Sequence, residues 1–302
     1  MGAAPVPWRD AKRYYIQRWG EPVGRIGVDA GFSCPNRGSD RSGPGCTFCA
    51  ETGNRPPYQA DEGDLATQIR GARAFSSDRY QFRLFSLYFQ SFSSTWAPVE
   101  TLRRVYDTGL AEGPFVELTV GTRPDCIDPA VADLLASYRT PAREVWVELG
   151  LQSSRDATLA RIGRGHDVGA FRRAAALLRD RGLPFTAHLM YGLPGESKGE
   201  FLDSVAFAVA EGASGIKLHD LILVPGTALY GEWQAGRLDP VDPEAYLDAA
   251  AEALARLPAH VVVWRVCSDP EDRKGPSILG EKWPKNRFLN RLKAEVVKRR
   301  GP

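Results

Sequence analysis

Nothing in this 302-residue chain approaches the roughly 18 consecutive apolar residues that a membrane-crossing helix needs. Its first residues, MGAAPVPWRDAKRYY, also lack the apolar core of a signal peptide. A Met-Gly start is present, but Val6 stands where an N-myristoylation signal wants Ser or Thr. The expectation is a cytoplasmic protein with no membrane partner. Charge of one sign is lacking too: 39 Lys and Arg against 37 Asp and Glu leave +2. A protein that holds nucleic acid mainly through phosphates is usually far more basic, although a local patch can hide in such a total. Histidine is scarce and scattered, at 166, 188, 219 and 260, so no short histidine-rich metal motif is present. Five cysteines, an odd number, argue against a secreted disulfide framework. No repeat or low-complexity tract occurs. The remainder, 43% hydrophobic and 25% charged, is an ordinary globular composition with length for one large domain or two small ones.

What is present is a rhythm of short apolar runs alternating with helical patterns. RIGVDA (25–30), RLFSLYFQ (83–90), FVELTVG (115–121), EVWVELGLQ (144–152), PFTAHLMYG (184–192), GIKLHDLIL (215–223) and HVVVWRV (260–266) are β-branched, aromatic and short. Such runs suit strands of a parallel sheet covered on both faces. Between them lie amphipathic segments with helix punctuation: Pro98 near a start, Asp128-Pro129 as N-cap and first helical residue, and Gly182 just past an end. The pattern predicts six or seven βα units, wound into an α/β barrel or an open sheet. Residues 1–266 carry it. Residues 267–302 read as a loop and a basic terminal helix packed on the barrel.

The cysteines are the sharpest signal. Cys34, Cys46 and Cys49 fall in CPNRGSDRSGPGCTFC, inside a loop spanning 31–50, just after the first predicted strand. That is the strand end where barrels of parallel strands place their chemistry. Thiolates select zinc or iron–sulfur clusters, and a structural zinc site wants four protein ligands. Three thiolates on one loop suit a 4Fe-4S cluster with one iron open to a substrate or cofactor. A zinc knuckle completed by a distant histidine is the bland alternative. A redox dithiol fits less well, because the CxxC does not open a helix after a strand.

With GFSCPNR, GCTFC, YFQSF, VGTRPDC, VELGLQS, RIGRGHD, YGLPGE and GIKLH in that order over residues 20–230, the chain resembles the radical S-adenosylmethionine (SAM) superfamily. It is similar in particular to the compact YhcC-type branch, related to the Elongator catalytic subunit. The gap of eleven residues between Cys34 and Cys46 departs from the superfamily's commonest spacing of three. The resemblance implies a partial, six-stranded α/β barrel. It also implies that the three cysteines hold 4Fe-4S, that SAM occupies the open iron, and that SAM cleavage yields a 5′-deoxyadenosyl radical. A flavodoxin- or ferredoxin-like electron donor follows, with a small molecule or tRNA as substrate. The different-class alternative is a non-catalytic iron–sulfur or zinc protein that binds nucleic acid or protein.

The resemblance also distributes SAM contacts. Phe48 stands at an aromatic position near the adenine, or simply covers the cluster. Gln90 and Ser91 replace the usual Gly-Gly-Glu, with the Gln90 carbonyl oxygen able to accept from the ammonium. Gln152 and Arg164 stand at the interval that holds ribose and carboxylate in the heme-biosynthetic relatives, and a guanidinium suits a carboxylate. His188 and Met190 fall near ribose and adenine, Leu223 near adenine, and Gly195 allows close backbone approach. For substrate contact or catalysis the candidates are Cys126, Lys217 and His219. Cys126 is equally read as an inert buried thiol. Lys217 and His219 share one side of a strand, where a buried ion pair of Lys217 with Glu148 is the alternative.

Overall fold

A computed structural model describes residues 6–51, 63–267, 275–279 and 283–301. Seven strands, β1 (Val23–Val28), β2 (Leu84–Phe89), β3 (Glu117–Thr122), β4 (Glu144–Gln152), β5 (Phe185–Tyr191), β6 (Gly215–Asp220) and β7 (Val262–Arg265), pair in chain order. Every pairing is parallel. Helix α1 (Ala11–Trp19) precedes β1, and α2 (Leu65–Tyr80), α3 (Val99–Ala111) and α4 (Pro129–Ser137) make the first three crossovers. Two helices, α5 (Asp156–Arg161) and α6 (Val168–Asp180), lie between β4 and β5, and α7 (Lys198–Ala210) links β5 to β6. Then come α8 (Ala228–Gln234) and α9 (Pro243–Arg256) before β7, and α10 (Lys285–Arg300) after it. The sheet curls into a partial barrel. Among the described residues no helix is long and apolar enough to cross a membrane.

The period-two alternation decides which side chains meet. Ile26, Leu87, Leu118, Val145, Val147, Leu149, Ala187 and Ile216 join the main core under the helices. The intervening positions, Arg25, Ser86, Glu117, Glu148, Thr186 and Lys217, face the lumen. The helices begin where the sequence punctuates them: Asp128, Asp167 and Asp242 each accept a backbone N–H as N-cap, and Ser197 forms a capping box with Glu200. Gly182 sits in the left-handed region with φ +63° just beyond α6.

The strand count implied by the family resemblance, six, is corrected to seven. The run Val261-Val262-Val263 is buried, and β7 joins the sheet through Gly215 opposite Val262. Its other edge is covered rather than left open, because Val263 donates to the Arg9 carbonyl at 2.8 Å. From there α1 turns under the barrel. Tyr14, Trp146 and Trp264 meet edge to face with centroids 5.1–5.6 Å apart, and Tyr15 packs on Trp264. These rings close the floor of the lumen, so its open end is the end where the strands finish. The basic α10 lies on α9. Phe288 stacks on Tyr246 at 5.7 Å, and Arg291 and Arg299 pair with Glu244 and Asp248.

Candidate functional site

The cysteine loop is built around one buried side chain that sequence reasoning missed. Arg37, 3% exposed, donates to the carbonyls of Gly43, Cys49 and Ala50 at 2.8–3.1 Å. A Cβ on Gly45 would stand 2.8 Å from that guanidinium, and one on Gly43 2.6 Å from the Asn36 carbonyl. The glycines therefore let the loop wrap an arginine tightly, which is what their density in the sequence encodes. Two backbone bonds tie the CxxC to the rest of the barrel top: Thr47 donates to Ile162 O, and Leu229 donates to Thr47 O, both at 3.0 Å.

Cys46 is the most engaged of the three thiols. The Asn36 side-chain amide donates to its Sγ at 3.3 Å and Arg164 Nη1 at 3.6 Å. Arg164 is buried, and its Nη2 also donates to the Gly150 carbonyl at 2.7 Å. A Cβ on Gly150 would lie 2.4 Å from Arg164 Nη2 and 2.9 Å from Gln152 Nε2. Gln152 and Arg164, twelve positions apart in the chain, are thus brought together above a strand glycine and against a cysteine. Gln152 ends β4 with φ +71°, beside a register shift against β5. A left-handed glutamine is uncommon and points to a functional constraint.

An apolar wall faces this polar corner. Phe48 packs against one cluster that contains Met190 from β5 and Leu223 beyond β6, together with Leu159, Ile162 and Leu193. The three expected adenine neighbours therefore share one cluster. Gly195 has φ +82°, with open space where a Cβ would be. Gln90 follows β2, half-buried, and the buried Ser91 hydroxyl beside it has no partner among the described residues.

The thiols suit a cluster in kind. Cys34 and Cys46 are buried, Cys49 is half-buried, and all are free. Burial first, then the neighbouring Cys46 and Cys34, push the Cys49 thiol up, while Arg37 pulls it down. N–H donors aimed at a sulfur are what a ligating thiolate takes. No group of three His, Cys, Asp or Glu side chains has metal-holding geometry among the described residues. Arg164 Nε and Arg123 Nη1 are buried donors without acceptors there, beside the cysteine loop. Acceptor atoms of a bound group would satisfy them.

His188, Lys217 and His219 lie lower, in the lumen. Glu148, fully enclosed, accepts from Lys217 Nζ at 2.5 Å, Tyr88 Oη at 2.5 Å, His188 Nε2 at 2.8 Å and Arg25 Nη2 at 2.7 Å. The anticipated Lys217–Glu148 pair is thus present within a larger network. Burial would raise the Glu148 carboxyl, but Lys217, Arg25 and His188 outweigh it and hold it well below the carboxylate range. The His219 ring sits 5.5 Å from that of His188. Cys126 ends a short 3-10 turn (Pro124–Cys126) after β3. Burial, then Asp125, pushes its thiol up to about 12, so it stays protonated at neutral pH. Next to it Arg123 pairs with Asp125 at 2.7 Å.

The radical SAM superfamily model matches residues 34–208, and a radical SAM C-terminal domain model matches residues 213–298. The border between them falls between α7 and β6, inside one continuous sheet. Protein YhcC of Escherichia coli (strain K12) is 38% identical over 280 residues, covering 92% of this chain and 88% of that protein. YtqA of Bacillus subtilis (strain 168) is 30% identical over 293 residues, 94% and 89% of the two chains. Among solved structures, the archaeal Methanocaldococcus infernus Elp3 with its N-terminus (1–46) deleted matches with a TM-score of 0.62. It is 20% identical and covers 82% of this chain and 57% of that one, a likeness of fold.

Proposed function

The chain belongs to the radical SAM superfamily, on its YhcC-type branch, and from that premise we propose that it is an enzyme holding a 4Fe-4S cluster on Cys34, Cys46 and Cys49 and SAM across the strand ends. Held there, the cluster and SAM would supply one-electron reductive cleavage of SAM and, through it, hydrogen-atom abstraction from a substrate. The protein's part is to hold, orient and exclude water. Arg37 fixes the path of the loop. Asn36 and Arg164 donate to Cys46. Arg164 and Gln152 would engage carboxylate and ribose, and Phe48, Met190 and Leu223 would cover the adenine. A flavodoxin- or ferredoxin-like donor would supply the electron, and the substrate is a small molecule or a tRNA. The observation that carries this reading is the meeting of Gln152 and Arg164 over Gly150, with Arg164 donating on to Cys46 from the cysteine loop.

Anaerobic reconstitution tests it. The expected product is a brown protein with about four irons per chain that releases 5′-deoxyadenosine and methionine when given SAM and dithionite. A colourless zinc protein that leaves SAM intact would reject the reading. Gly150→Ala probes the same corner with one methyl group. That methyl forces Arg164 and Gln152 aside, while the backbone at 150 lies outside the left-handed region and so admits an alanine. SAM affinity, measured calorimetrically, is expected to fall roughly tenfold or more while iron content holds. Unchanged affinity would remove Arg164 and Gln152 from the SAM site.

A further inference from the structure

The lumen below the proposed SAM site gathers three basic side chains around Glu148. Arg25 comes from β1, Lys217 from β6 and Arg265 from the end of β7. Arg25 and Lys217 already share Glu148, at 2.7 and 2.5 Å. A second lumen acid, Glu117 on β3, is engaged on the far side by hydroxyls. Burial pushes its carboxyl up, and its Oε1 is taken by the hydroxyls of Tyr15, Ser86 and Thr119. The half-buried Arg265 stands opposite Lys217 in the sheet, and its side chain makes no hydrogen bond or ion pair with any of the described residues, yet lies near enough to disfavour charge on both Lys217 and His188. A guanidinium at the lumen wall with no protein acceptor has its donors free for an incoming oxyanion. Solvent reaches this depth: the side chains of Arg25 and His188 are 22% and 21% exposed. Tyr14, Trp146 and Trp264 seal the floor, so the approach is from the open end, past the SAM site.

We propose that the lumen binds an anionic group, a carboxylate or phosphate at the end of a small molecule, against Arg265 and Lys217, and that this group belongs to the substrate. The identification as substrate rests on the radical SAM reading above; the binding does not. A planar guanidinium beside an ammonium suits an oxyanion. Lys217 adds a pH dependence. Burial, with Arg25 and Arg265, lowers its pKa to about 7, while Glu148 pulls the other way. The other groups facing it are Tyr88, His188 and His219. Affinity should therefore rise as the pH falls and Lys217 gains its proton.

The test is calorimetric titration of the cluster-loaded full chain, without SAM, using succinate and inorganic phosphate as separate probes. Binding of succinate, of phosphate or of both supports the site and names the oxyanion. Binding of neither overturns it. Arg265→Met is expected to weaken the probe that binds roughly tenfold to a hundredfold, and Arg265→Lys, which keeps the charge, to retain most of the affinity. Succinate, largely ionised at both values, should bind roughly tenfold more tightly at pH 6.5 than at pH 8.5. Unchanged binding in Arg265→Met overturns the proposal, as does an equal loss in Arg291→Met, whose guanidinium pairs with Glu244 on the outer helices. A chain that cleaves SAM but binds neither anion refutes this site alone. One that binds the anion but leaves SAM intact refutes the radical reading alone.

Discussion

A Cys46→Ala protein prepared without oxygen is expected to be colourless, to carry almost no iron and to release no detectable 5′-deoxyadenosine. Its effect should exceed that of any other single change in the loop. Cys46 is buried at 6% exposure and takes two N–H donors, from Asn36 and Arg164, so its sulfur is the best prepared of the three to carry negative charge. Replacing it also removes the atom that Arg164 leans on. The same replacement at Cys126 separates a ligand from a bystander. That thiol is held protonated by burial, and Cys126→Ala should keep its iron and colour. Iron analysis and visible absorbance of the two variants, side by side, check the expectation. Equal iron in Cys46→Ala and wild type would place the cluster elsewhere.

Glu148→Gln is expected to be the most destabilising conservative substitution in the barrel, by about 3–5 kcal/mol, seen as a fall in Tm of about 5–15 °C. The amide keeps the shape but removes the charge that Arg25 and Lys217 share and that His188 and Tyr88 donate to. Two enclosed cations would then face each other with Arg265 nearby, and among the described residues no other carboxylate pairs with either of them. Lys217→Met placed on top should return part of the loss, because it removes one of the stranded charges; a double-mutant cycle measures the coupling. The pH dependence carries a sign. Glu148 binds its proton less tightly in the folded chain than in the unfolded one, where a glutamate titrates near about 4.3. The stabilisation is therefore complete above that value and drains away as the pH falls through the folded-state value. Acid unfolding of the wild type should be correspondingly steep, and that of Glu148→Gln shallower. A Tm within a degree or two of wild type would mean that the network contributes little.

Much of the fold is legible in the chain because the barrel is made of local signals. Each strand is a short apolar run, and most crossover helices carry an Asp or Ser cap that their N-termini use. Helices α1, α5 and α8, of nine, six and seven residues, show too few repeats for a periodicity reading, whereas α4, also nine residues, is marked by its Asp128-Pro129 start. At the site, the thiols and the pairing of Gln152 with Arg164 are visible as spacing. The roles of Arg37, Asn36 and Gly150 are not, because each depends on what the folded loop brings against it. Glu148 and Lys217 stand out as charges inside apolar strands, which demand partners. Arg25 and Arg265 do not, since only the curl of the sheet carries β1 and β7 toward one lumen.

The account turns on an iron that the polypeptide leaves open. Electron–nuclear double resonance of the reduced, SAM-loaded protein addresses that iron directly, with SAM carrying 15N in the amino group and 17O in the carboxylate. Hyperfine coupling to both labels is the predicted result. A spectrum without either coupling, with the fourth position held by a side chain of the protein, would contradict it.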